Sequence, residues 1–410
     1  GRSLQGLGVA ALMSMSVALV SVSTPPEKRA FALGIWAATV AMGFALGPLI
    51  GGTLTDIISW RAVFVLDLII LSIAGFLCFK VARLGLVPHK PVAGKRTDFP
   101  GIALLFVTLA SFLYGLTSGP LFGWTSVQTL VLFALAIAGG VGFVVRELHA
   151  GEPLIEFGFF RHLDYVAATI GMFLNGVTQM GVLYFTNLFL QAPQGLHFSA
   201  SQAGLALLPF TLAMFVISLT LPRLIVSGKY RIPVVAGMLM LAVGFWLMHD
   251  IDHQTPYGDV WWRLVILGVG VGFNWALLPR LGLGVLPDAH AGQGSGVLNT
   301  SMFAGLATGT ALGGVVAAHI KRNIIDPVVD SVAASAPDLG ALKIKLVHGS
   351  ESQIERVMTR IPHGDSVTLE GAMRGAFDSG FSGVMVMMTL MALAGVLIGV
   401  LLIRPEPAAR

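Results

Sequence analysis

Long apolar runs broken by short polar stretches set the pattern of this chain. A helix needs roughly 20 mostly apolar residues to cross the hydrocarbon core of a bilayer. That window picks out eleven runs, at 4–23, 30–55, 62–83, 99–118, 126–147, 165–190, 201–222, 232–248, 262–286, 294–318 and 380–403. Each is apolar around nearly its whole circumference, as in helices that face lipid or one another. The breaks have loop chemistry: "STPPEKRA" (23–30), "VPHKPVAGKRTDFP" (87–100) and "QAPQGLHFSA" (191–200) are rich in turn residues. The predicted fold class is an all-α membrane protein.

Charge placement supplies an orientation. Lys28 and Arg29 fall in one break and only Arg61 in the next; Lys80, Arg83, Lys90, Lys95 and Arg96 are followed by uncharged "GPLFGWTS". Arg146 and Arg161 then alternate with uncharged "QAPQGLHFSA", and Arg223, Lys229 and Arg231 with acidic "HDIDHQTPYGD". Basic loops stay cytoplasmic, so the reading puts Gly1 outside and Arg410 in the cytoplasm of a cell whose inner (plasma) membrane the chain crosses many times. The long break at 319–379 falls outside and does not vote. Its segments 351–360 and 368–377 read as short helices of an extramembrane hairpin, with a disordered loop as the alternative.

Composition agrees. Charged residues make up 11% and hydrophobic residues 55% of the chain, with a mean hydropathy of +0.82; soluble domains carry about 25% charged residues. The net charge of +4 is accounted for by loops and does not point to nucleic acid. Cys78 stands alone, which excludes an intrachain disulfide and a multi-cysteine zinc site. No phosphate loop, nucleophile elbow or paired-histidine zinc motif is present, so no enzyme activity and no cofactor are expected. "GVGVGFNW" (268–275) resembles a dinucleotide loop but lies within a span, where close helix packing explains it better. The chain opens on Gly1-Arg2 without an initiator Met or a signal-peptide pattern, which reads as an N-terminally truncated product.

The stretch "GFALGPLIGG" (43–52) raises its own question. Gly43, Gly47 and Gly51 share one helix face, and with Gly52 they predict close approach of a neighbouring helix. Pro48 cannot donate to the Phe44 carbonyl and so builds in a bend. Plain packing is the alternative. The stretch matches the GxxxGPxxGG antiporter motif of drug:proton antiporters in the major facilitator superfamily. "RSLQGLGVAA" (2–11) resembles the RxxQGxGxA motif of the preceding helix, "SWRAVF" (59–64) the segment that follows, and "GLHFSASQAGLALLP" (195–209) and "AGQGSGVLNTSMFAGLATG" (291–309) the fourteen-helix branch.

The resemblance implies proton-coupled efflux of hydrophobic or cationic small molecules, with protons and the lipid bilayer as further partners and room for a periplasmic adaptor protein. It divides the chain into helices four to six of a first bundle (1–86), a basic cytoplasmic loop with two linker helices (87–150), and a second six-helix bundle (151–410). The family's first helix, with its acidic residue, is not among these. A transport-inactive fragment, receptor or scaffold is therefore the rival reading. The chain also has Asp67 and Ile69 where the family has Asn and Pro.

Charges in a bilayer cost about 2.5–3.5 kcal/mol each on insertion scales, so polar residues in spans need a partner or a role. By the resemblance Arg2 faces the central cavity and couples to protonation, with Gln5 on the same face; an interfacial, snorkelling Arg2 is the alternative. Asp67 is either a proton carrier or a paired carboxylate. Asn175 and Gln179, spaced i and i+4, suit a substrate cavity or interhelical hydrogen bonds, and Asn274 and Asn299 invite the same two readings. His249, His253, His290 and His319 fall at span ends or in loops and read as solvated, with no metal expected.

Overall fold

The computed structural model describes residues 4–6, 8, 9, 12, 16, 19, 20, 23–83, 98–151, 153–225, 229–287, 290–333 and 363–404. The described positions from Leu4 to Val20 are helical, and the Trp36 indole donates to the Ser16 hydroxyl at 3.0 Å. Twelve labelled helices follow: α1 (Pro26–Ile57), α2 (Trp60–Arg83), α3 (Phe99–Phe122), α4 (Val127–His149), α5 (Leu163–Met180), α6 (Asn187–Gln191), α7 (Ala200–Ala206), α8 (Leu208–Leu224), α9 (Arg231–Met248), α10 (Tyr257–Leu283), α11 (Ala291–Ala333) and α12 (His363–Leu402). A 3₁₀ turn (Phe157–Arg161) precedes α5, and a π-helix (Gly181–Thr186) joins α5 to α6. No strand occurs among the described residues.

Local chemistry sets the ends. The Asp98 carboxylate accepts from the Gly101 amide at 3.1 Å at the start of α3, and Ser126 caps α4 through the Thr129 amide at 3.3 Å. Ser199 and Gln202 form a reciprocal capping box on α7, which satisfies two otherwise orphaned amides. Gly123, at φ +94°, ends α3 in a conformation that costs glycine little.

Among the described residues, nine helices are long and apolar enough to cross a membrane. They cover nine of the eleven predicted runs. α1 spans the predicted 30–55, and 4–23 lies partly outside the described residues. Two runs are less continuous than predicted: 165–190 contains the π-helix, and 201–222 breaks at Leu207 before α8 restarts with Pro209 in its first turn. The Tyr257 hydroxyl donates to the Ala206 carbonyl at that break, at 2.9 Å.

The second bundle is packed from α5 and α8–α12. α5 lies against α10, α11 and α12; α10 also packs on α8 and α9, and α12 on α9 and α11. Its core holds Phe245, Leu241, Leu264, Leu267, Val271 and Met388, all fully buried. Helices α3 and α4 form a hairpin. Asp98 accepts three hydrogen bonds from Arg146, at 3.0–3.2 Å, and Thr108 fills the space beside Gly139.

The break at 319–379 differs from its expected form. The predicted helix at 351–360 lies outside the described residues, and that at 368–377 is the beginning of α12 rather than a separate element. With 43 residues, α11 is about 65 Å long at 1.5 Å per residue, twice the hydrocarbon thickness. Its distal end stays apolar on one side, where Ile325 and Val329 are buried as are Leu369 and Ala376 of α12. α11 stays helical through Pro327 and α12 through Gly380, the two packed against each other.

Candidate functional site: the contact between the two bundles

The "GFALGPLIGG" stretch meets the second bundle, but of its four glycines only Gly52 is in the contact. α1 packs on α7 and α8. A Cβ on Gly52 would lie 2.7 Å from the Ala200 carbonyl carbon and 3.1 Å from the Ser201 Cα. Reciprocally, a Cβ on Gly204 would lie 2.9 Å from the Pro48 carbonyl carbon and 3.0 Å from the Leu49 Cα. The two backbones therefore touch through Pro48 and Gly52, one turn apart, and Gly204 matters as much as either. Gly43, Gly47 and Gly51 have no described atom within 4 Å of a would-be Cβ. Their shared face points elsewhere, because the contact face is rotated by about 100° at Gly52. Beyond Pro48, the Thr53 and Thr55 hydroxyls donate back to the carbonyls of Leu49 and Gly51, at 2.8 and 2.7 Å.

One turn past Gly52, Asp56 caps the other bundle. Its carboxylate accepts from the Ser199 hydroxyl at 2.7 Å, the Ala200 amide at 3.1 Å and the Ser201 amide at 2.7 Å. The first amides of a helix have no intrahelical acceptor, and Asp56 supplies one from more than 140 residues away. The Ser201 and Ser199 hydroxyls, then the Ser201 and Ala200 amides, pull its pKa down to about 2. Glycine contact and carboxylate cap together form a polar latch at one end of the molecule. Asp56 escaped the sequence reading, although it follows the Gly-Gly pair closely and the Ser199-x-x-Gln202 box was legible.

The opposite end is tied differently. Gln293 Nε2 donates to the Pro153 and Leu154 carbonyls, both at 2.7 Å. His290 pairs with Glu156 at 3.1 Å, and the Arg404 amide donates to Asp164 at 3.0 Å. These ties all lie within or onto the second bundle.

The remaining predicted residues separate. Arg2 lies outside the described residues. Gln5 is exposed on its helix, and Asp67 is exposed on α2, a helix with no buried residue. Asn175, Gln179 and Asn274 are fully buried in the second bundle, whereas Asn299 is exposed on α11. The four amides therefore do not line one wall. Two histidines are paired rather than free in solvent: His253 with Asp378 at 2.7 Å, and His290 with Glu156. No group of three metal-ligating side chains occurs among the described residues.

Comparison with known proteins places these features. A profile of the Major Facilitator Superfamily matches residues 1–310. The multidrug resistance protein Stp of Mycobacterium tuberculosis is 32% identical over 348 residues, 81% of this chain and 63% of the relative. The tetracenomycin C resistance and export protein of Streptomyces glaucescens is 31% identical, covering 77% of this chain and 58% of the relative. A bacterial homolog of the human lysosomal transporter Spinster, solved in an inward-facing and occupied conformation, overlaps with a TM-score of 0.48 at 16% identity, covering 96% of this chain and 75% of that one. The chain thus spans about three fifths of the length of these curated relatives.

Proposed function

Because the chain belongs to the Major Facilitator Superfamily, a family of transporters rather than enzymes, we propose that it works in a secondary active transporter exporting hydrophobic or cationic small molecules in exchange for protons. The relatives' names, multidrug resistance and tetracenomycin C export, support that direction and substrate class. The observation that carries the reading is the latch between α1 and α7. Alternating access needs two bundles that touch at one end while the other opens. A contact made of glycine backbone and one carboxylate cap is tight enough to exclude solute and has few side chains to repack on opening.

In this reading the Asp56 end is the outer face, held shut, and the basic loops with Arg410 are cytoplasmic. The buried polar residues of the second bundle, Asn175, Thr178, Gln179, Thr186, Thr211, Asn274, Thr308 and Thr389, are all uncharged among the described residues. They offer hydrogen bonds but no counter-charge, so a cationic substrate draws its counter-charge from the first bundle. Arg2, Gln5 and Asp67 are the proton-coupling candidates there, and Asn299, exposed on α11, is the cavity candidate of the second bundle.

Dye efflux from cells expressing the gene tests this. Efflux above that of empty-vector cells, abolished by an uncoupler, is expected. Efflux that survives the uncoupler removes proton coupling, and efflux no greater than the vector control removes export.

A further inference from the structure

The interior of the second bundle holds a polar seam that neither its packing nor the latch explains. Gly171 of α5 faces Leu278 of α10, its would-be Cβ 2.7 Å from a Leu278 methyl, and Ala168 faces Gly282 at 2.9 Å. The two helices therefore run antiparallel, three residues forward on α5 (Ala168 to Gly171) matching four back on α10 (Gly282 to Leu278). Asn175 lies one turn beyond Gly171 on α5 and Asn274 one turn before Leu278 on α10, on the faces through which the two helices meet. Asn274 also borders α9, its amide atoms 3.0 and 3.1 Å from a Cβ position on Gly237. Gln179 follows one turn along α5.

All three side chains are 0% exposed. Asn274 Nδ2 donates to the Gly270 carbonyl at 3.0 Å. Its Oδ1, both amide atoms of Asn175 and both of Gln179 have no hydrogen-bond partner among the described residues. Buried polar groups in native proteins are almost always satisfied, by protein or by ordered water. Two residues further on, α5 turns into the π-helix Gly181–Thr186, an irregularity found often at functional sites. Gly181 is enclosed there by Met388 and Phe245, each 2.9 Å from its would-be Cβ.

We propose that the contact of α5 with α10 holds an internal water site, in which Asn175, Gln179 and the Asn274 Oδ1 bind ordered water molecules next to the π-helix. The ligand class follows from the side chains: three primary amides offer both donors and acceptors and no charge, which suits water, itself donor and acceptor. The three amides are fully buried, as are Leu241, Leu267, Val271 and Phe245 of the same apolar core, so the water is isolated from bulk. A hydrated seam next to a π-turn gives α5 hydrogen-bond partners that move with it, so its register can change without stripping the amides.

Pulsed X-ray hydroxyl-radical labelling of the purified protein in nanodiscs tests the site, because radicals born from bound water mark the side chains beside it. Met388 and Phe245, fully buried, are expected to be labelled several-fold more than Met214, which is 3% exposed on α8. In Asn175→Leu/Gln179→Leu the labelling should fall to the Met214 level; Gln179→Met alone, which keeps side-chain volume, should lower it in the same direction if the double variant folds poorly. Wild-type labelling at Met388 and Phe245 no greater than at Met214 overturns the proposal, since amides bonded directly to one another would give that dry result. Labelling unchanged in the variants overturns it as well. The readout involves no transport, so its failure leaves the export reading untouched.

Discussion

Gly52→Ala should open the latched end. The added Cβ would sit 2.7 Å from the Ala200 carbonyl carbon and 3.1 Å from the Ser201 Cα, where carbon pairs prefer about 3.5–4.0 Å. Both obstacles are backbone, so no rotamer change relieves them, and α1 must move from α7 by about 0.8 Å or more. The same displacement would stretch the Ser199 and Ser201 hydrogen bonds to Asp56, now 2.7 Å each, to the limit of a hydrogen bond. Overpacking of this kind costs about 1–3 kcal/mol, a shift of about 5–150-fold in a two-state ratio. Electron–electron distance measurements between spin labels at Ile58→Cys and Leu205→Cys report it. Both positions are exposed, and the exposed Cys78 is first replaced by serine. The wild type should give one short-distance population and Gly52→Ala an added longer one. If the two distributions superimpose, the contact does not hold the bundles together.

Gly43→Ala and Gly47→Ala should behave oppositely: with no described atom within 4 Å, each leaves the label distances unchanged and gains up to about 1 kcal/mol of helix propensity, read as an unchanged or higher melting temperature. Asp56 has its pKa lowered from 3.8 to about 2. Its capping contribution is thus complete above about pH 4 and lost as pH falls through the interval down to about 2. The distance distribution should be flat between pH 5 and 8, while Asp56→Asn should populate the longer distance throughout; a wild-type transition within that range, absent from Asp56→Asn, would contradict this. Gln293→Ala should free the 153–161 segment by removing two hydrogen bonds worth about 0.5–1.5 kcal/mol each, visible as faster amide exchange at Ile155 and its neighbours. Asp98→Ala should lower the melting temperature more than Asp98→Asn, which keeps an acceptor for Arg146 and the Gly101 amide; equal losses would show that the cap is immaterial.

The helices were legible because a bilayer imposes a simple rule. A run of about 20 apolar residues has almost no alternative to a spanning helix, and caps such as Ser199 with Gln202 mark where one begins. Near-uniform apolarity around a helix, however, says nothing about which side meets a neighbour. "GFALGPLIGG" announced a close contact, yet only packing chose Pro48 and Gly52 over the Gly43–Gly47–Gly51 face. The spacing of Asn175 and Gln179 set them on one side of α5, while the packing of α10, α11 and α12 on that helix decided that both are buried rather than open to a cavity. Asp56 and Ser199 are far apart in the chain, and no local pattern pairs them. Their hydrogen bonds exist because two bundles meet there, and long-range contact is the one term that hydrophobic periodicity does not encode.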